Sequence, residues 1–163
     1  EIIDTRRLPT FARVTVVIAK VEKCALENYG LYRMAALKRC RPLTRLIAND
    51  MVLMLEISIL GTIALVPEVL FYRRDFGPSW TGDEAMIKTL LRVDPEAAKR
   101  RNARPYWDLG IQQIAGAWRL TPLLKCFHLL PLIAFVHYTR WHNQLKRELR
   151  RPYSLEKHTE PKF

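Results

Sequence analysis

Between Arg45 and Arg73 the chain runs from Leu46 to Tyr72 without a single Lys or Arg, although it carries 27 of them in all. At a helical rise of 1.5 Å per residue, ~20 apolar residues cross a hydrocarbon core, so this stretch is long enough to span one. Three acids interrupt it: Asp50, Glu56 and Glu68. Each costs roughly 2–3.5 kcal/mol near a bilayer midplane if it is left without a partner. The stretch therefore predicts a membrane helix that needs cations from its neighbours.

A second apolar stretch runs from Leu120 to Tyr138, interrupted by Lys125, His128 and His137, with Pro131 placed to kink it. Beyond Arg140-Trp141 it continues as a basic amphipathic helix through Leu145 and Leu149, until Pro152 ends it. If the two stretches run antiparallel, with Arg73 and Arg119 at one depth, three acids meet three bases. Glu68 lies level with Lys125, Glu56 with His137, and Asp50 with His142. Pairing is the usual escape from an isolated charge in low dielectric, so these six form the expected intramembrane pairing set. Aromatic and basic residues together suit a membrane interface. Arg73, Arg74 and Trp80 after the first stretch, and Arg140, Trp141, Lys146 and Arg147 after the second, are the expected lipid contacts.

The remaining segments read as helices of ordinary kind. From Thr10 to about Arg41, apolar residues recur at steps of three and four, from Phe11, Val14 and Ile18 to Tyr32 and Ala36. Val14–Ile18 has the β-branched composition of a strand, but the periodicity on both sides favours helix. Gly30 is a weak point in it, and Pro42 ends it. Thr81 and Glu84 have capping-box spacing, Asp94-Pro95 resembles a second helix start, and Asp108 opens a further piece through Trp118. The predicted fold is all-α: a two-span transmembrane helical hairpin with amphipathic N-terminal and loop helices. Its parts are 1–45, an amphipathic basic helix; 46–72, the first span; 73–119, a polar excursion; 120–151, the second span with its basic extension; and 152–163, an extended tail.

A net charge of +11 and a pI near 10.0 predict attraction to polyanions, either nucleic acid or acidic lipid head groups. The two ends, 1–45 and 140–163, together hold 17 Lys and Arg against 9 in the central excursion, an asymmetry that favours the termini on the matrix or cytoplasmic side. Three scattered cysteines form no CxxC pair, which gives no basis for a zinc site, haem attachment or a disulfide framework. His128 and His142 share a helical face, but haem ligation needs facing histidines and the first stretch has none. Phosphate loops, dinucleotide fingerprints and HExxH are absent, as is any nucleophile with an orienting base. No catalytic, cofactor-binding or metal-ligating residue is expected, and the chain reads as a non-enzyme.

The layout resembles, at class level, the accessory membrane subunits of mitochondrial respiratory-chain complexes and of the ATP synthase membrane sector. Four features carry that resemblance: a start at Glu1 rather than Met, two charge-broken spans, Arg-rich flanks such as Arg147–Arg151, and a Pro-Lys-Phe tail. It implies an inner-membrane location, a structural role in assembly, other subunits as partners, and bound cardiolipin or another phospholipid. The rival expectation is a basic RNA-binding protein of the mitochondrial ribosome. Arginines interleaved with aromatics at Arg104-Pro105-Tyr106-Trp107 and Arg140-Trp141 motivate it, although two long apolar stretches argue against nucleic acid as the partner.

Overall fold

The computed structural model describes residues 3–20, 29–42, 47–70, 72, 83–94, 96, 103–121 and 123–151, and every regular element among them is helical. Helix α1 covers Thr10–Lys20, α2 Met34–Leu37, α3 Asn49–Leu60, α4 Asp83–Val93, α5 Pro105–Leu120 and α6 Leu123–Arg150. Four of them close a ring in which α1 packs on α3, α3 on α5, α5 on α6, and α6 back on α1, while the single turn of α2 leans on α3.

The β-branched run in α1 stays helical because one face of it is buried. Val14, Val17 and Ile18 point inward, and Val14 and Ile18 join Leu55, Ala117, Leu129 and Ile133 in the central core. Each such side chain, taken fully out of water, contributes about 1.5–3 kcal/mol. Ile3 and Met54 meet Val17 in a second cluster, and Ile87, Leu90 and Ala103 form a third beside α4. The helix expected from Thr10 to about Arg41 breaks at its weak point: residues 30–33, beginning with Gly30, are not helical, and Met34–Leu37 turns again.

Helix α3 fills only part of the first predicted span. Helix α3 has 12 residues, ~18 Å, and residues 61–70 are not helical. The cause is visible in where the backbone finds partners. Gly61 leaves the helix in an extended conformation, φ −164°. The Ile63 carbonyl then accepts the Thr5 N–H at 2.8 Å, and the Ile63 N–H donates to Thr5 Oγ1 at 2.8 Å. The arginine Arg13 closes the end of α3 by donating from Nε to the Ser58 carbonyl at 2.6 Å. A buried cation at carbonyls otherwise left unpaired suits a helix C-terminus. Among the described residues no helix is long and apolar enough to cross a membrane.

Helix α6 runs 28 residues without interruption at Pro131, joining the second apolar stretch to its basic extension. Helix α5 begins at Pro105, three residues before the expected start at Asp108, because proline suits the first turn and lacks only an N–H that would be unpaired anyway. The capping-box Thr81, the restart at Pro95 and the tail 152–163 lie outside the described residues.

Candidate functional site

Glu56 is 1% exposed in the middle of α3, on the face turned to α5. It fits there because α5 presents Gly116: a Cβ at that position would stand 2.6 Å from Glu56 Oε1 and 3.0 Å from Arg41 Nη2. Arg41, just beyond α2, donates to both carboxylate oxygens, from its backbone N–H to Oε2 at 2.7 Å and from Nε to Oε1 at 2.9 Å. Arg119, in the last turn of α5, donates from Nη2 to Oε2 at 3.0 Å. The outer edges of the two guanidiniums are also used. Arg41 Nη1 donates to Gln112 Oε1 at 2.7 Å and its Nη2 to the Gln112 carbonyl, while Arg119 Nη1 donates to the Arg39 carbonyl at 2.6 Å.

One carboxylate thus ties α3, α5 and the segment after α2 at a single point. The arginine side chains keep 26% and 41% of their exposure, so solvent reaches the cations while the anion is enclosed. A cleft beside it, lined by Arg41, Asn49, Val52, Leu53, Glu56 and Gln112, has room for about one water, far below the volume of a small-molecule site. Both Glu56 oxygens are engaged, so in this arrangement the group acts as a tether. Neighbouring Cys40 is buried, and burial, then the Glu56 charge, pushes its thiol above the ordinary range, which favours the unreactive form.

The partners of Glu56 differ from the expected His137. That imidazole is 7% exposed between α5 and α6, with Nε2 2.9 Å from the Tyr106 carbonyl and Nδ1 3.1 Å from Gln113 Oε1. The hairpin register assumed two straight helices. With α3 only three turns long, cations from Arg41 and from the end of α5 come within reach first. Glu68 is exposed in the extended segment after α3, and Lys125 lies in the first turn of α6. Asp50 sits in the first turn of α3, where a carboxylate favours the helix dipole, and its Oδ1 accepts the Met51 N–H at 3.0 Å. His142 is half-buried on α6, its ring 6.2 Å from that of Tyr138.

Two of the expected lipid contacts turn inward. Trp141 is 9% exposed and packs on Tyr106, ring centroids 4.7 Å apart. Arg140 donates to the Ile18 carbonyl near the end of α1 and lies over the Trp141 ring at 5.4 Å. Both sit where α6 crosses its neighbours, so packing takes up the side chains that would have suited an interface. Lys146 and Arg147 are exposed; Arg73, Arg74 and Trp80 lie outside the described residues.

Four charged residues that hold the fold together, Arg13, Arg41, Arg119 and Glu148, were not among the expected site residues. Arg13 shares the inward face with Val17, four residues on. Arg41 and Arg119 flank proline-marked breaks. Glu148 follows Trp141 and Leu145 at helical spacing and is 0% exposed. Glu148 covers the start of α5, accepting the N–H groups of Tyr106 at 3.1 Å and Trp107 at 3.3 Å. Burial pushes its carboxyl up to about 7, against the downward pull of those two donors. The inward spacing of Arg13 and Glu148 was the available signal. Among the described residues no group of three His, Cys, Asp or Glu could hold a metal ion.

Fold and site together define an all-helical bundle keyed by a buried carboxylate between two arginines. Comparison with protein-family models, with curated proteins and with solved structures finds no match to this chain.

Proposed function

We propose that this protein is a non-catalytic structural subunit of a multi-subunit mitochondrial inner-membrane complex, of the respiratory chain or the ATP synthase, and that it binds partner subunits and anionic lipid. One observation carries the reading. Val66, Val69, Leu70 and Tyr72 stand 55%, 71%, 76% and 86% exposed along the extended segment after α3, on a chain with net charge +11. Contiguous large apolar side chains left uncovered mark a surface that another molecule covers. The interior charges are occupied in holding the bundle together, which suits a scaffold better than a reaction site.

The stronger form of this reading keeps both Leu46–Tyr72 and Leu120–Tyr138 as membrane spans. It requires residues 61–70 to leave Thr5 and Asp4, whose Oδ2 accepts the Leu65 N–H at 3.4 Å, and extend α3 on insertion. The weaker form seats the bundle against the membrane with no refolding. Resistance to carbonate extraction supports the stronger form, and release supports the weaker. Co-purification in mild detergent, with partners identified by mass, tests the function itself: recovery without partners and without membrane lipid sinks it. The packing of Tyr106 against Trp141, rings tilted at 42°, occupies two of the aromatics that motivate the RNA-binding alternative, which favours the scaffold reading.

A further inference from the structure

Helix α6 has a second face that its neighbours in the bundle leave uncovered. The inward face is Leu129, Ile133, His137, Trp141, Leu145 and Glu148, all buried. On the opposite side, at steps of three and four, Pro131, Phe135, Tyr138, the half-buried His142, Lys146 and Leu149 form one stripe, with Arg150 beside its end. Phe135 is 65%, Tyr138 52% and Leu149 57% exposed, and Lys146 and Arg150 are exposed as well. The stripe extends about 28 Å along the axis. The sole acid of α6 is Glu148, which is enclosed, so the outer face presents cations and no carboxylate.

Resting on the weaker form of the scaffold reading above, in which the bundle sits against the membrane, we propose that this outer face of α6 docks in the plane of an anionic phospholipid bilayer, with Phe135, Tyr138 and Leu149 inserted at head-group depth and Lys146 and Arg150 on lipid phosphates. Charge complementarity selects that occupant: an acid-free face bearing cations matches an anionic surface. Aromatic side chains on the same stripe match the interfacial layer, where a ring can be buried while its polar edge stays wet. Knobs-into-holes pairing with a protein helix suits this face less well, because Pro131 sits in the seam and two of its contacts are aromatic rings rather than Leu or Ile.

The test is flotation of the full chain with phosphatidylcholine vesicles, with and without cardiolipin or phosphatidylglycerol. The wild type is expected to float with either anionic lipid and not with phosphatidylcholine alone, and to be released by salt. Replacing the exposed rings (F135S with Y138S) is expected to weaken binding roughly tenfold or more, with helical content and melting unchanged. Reversing the cations (K146E with R150E) is expected to abolish the preference for anionic lipid. Equal binding to neutral vesicles, no binding, or indifference to the ring substitutions overturns the inference. If the wild type ignores vesicles while F135S/Y138S ejects it from its complex, the face is a protein interface, and the scaffold reading stands alone. If it binds vesicles as expected but joins no complex, the docking face stands and the scaffold reading falls.

Discussion

Arg41 holds Glu56 by two routes, its backbone N–H on Oε2 at 2.7 Å and its Nε on Oε1 at 2.9 Å. A side chain that is also anchored through its own amide fixes the path of residues 39–42 along α3. Removing the negative charge leaves two partly solvated arginines around an enclosed neutral amide. Glu56→Gln is therefore expected to destabilise the fold by about 1–3 kcal/mol, read as a lower denaturant midpoint with an unchanged slope. Arg119→Ala should cost less, since that side chain is 41% exposed and solvent already screens it.

The glycines of the bundle separate contact from conformation. Gly116→Ala drives a methyl group to 2.6 Å from Glu56 Oε1, and Gly110→Ala drives one to 2.8 Å from His137 Nε2. Both should destabilise, by about 1–3 kcal/mol. Nothing stands within 4 Å of a Cβ at Gly61, whose φ of −164° any residue adopts, so Gly61→Ala should fall within about 0.5 kcal/mol of wild type. Thermal melts of the three variants give the comparison.

Ala48 precedes α3 in the left-handed region, φ 57° and ψ 33°, where a Cβ is unfavourable. Ala48→Gly relieves that strain at the cost of a more flexible unfolded chain. A net gain of about 0.5–1 kcal/mol is expected, seen as a rise in Tm of roughly 2–4 °C. A fall in Tm would show that the contacts of this methyl group outweigh the strain.

Glu148 supplies a pH dependence whose sign is fixed by its raised pKa. The carboxyl titrates near its ordinary value of 4.5 when unfolded and at about 7 when folded. Between those values the folded state holds more protons, so this group's contribution to stability is intact below about 4.5 and is lost as pH rises through 7. Urea midpoints across that window should fall less steeply with pH in Glu148→Gln than in wild type. Parallel curves for the two proteins would remove Glu148 from the pH response.

Helical periodicity was legible wherever one face of a segment alone is buried, as in Thr10–Lys20 and through Leu145 and Leu149 of α6. It did not locate the end of α3 between Leu46 and Tyr72, because an apolar run reads alike whether or not it continues as helix. There, pairing of residue 63 with residue 5 ended α3, a contact between positions far apart in the chain. The acid in that run announced its need for a cation, but not which cation would answer.

Composition and spacing alone point to a helical chain with a surplus of positive charge and three acids, Asp50, Glu56 and Glu68, inside its longest cation-free run. Tertiary packing decided that Arg41 and Arg119 enclose Glu56, that Trp141 turns inward onto Tyr106, and that Phe135 and Tyr138 remain outside. The physical reason is that helix propensity and charge are properties of neighbouring residues. A guanidinium's partner, or a ring's exposure, depends on which distant helix arrives within a few ångströms.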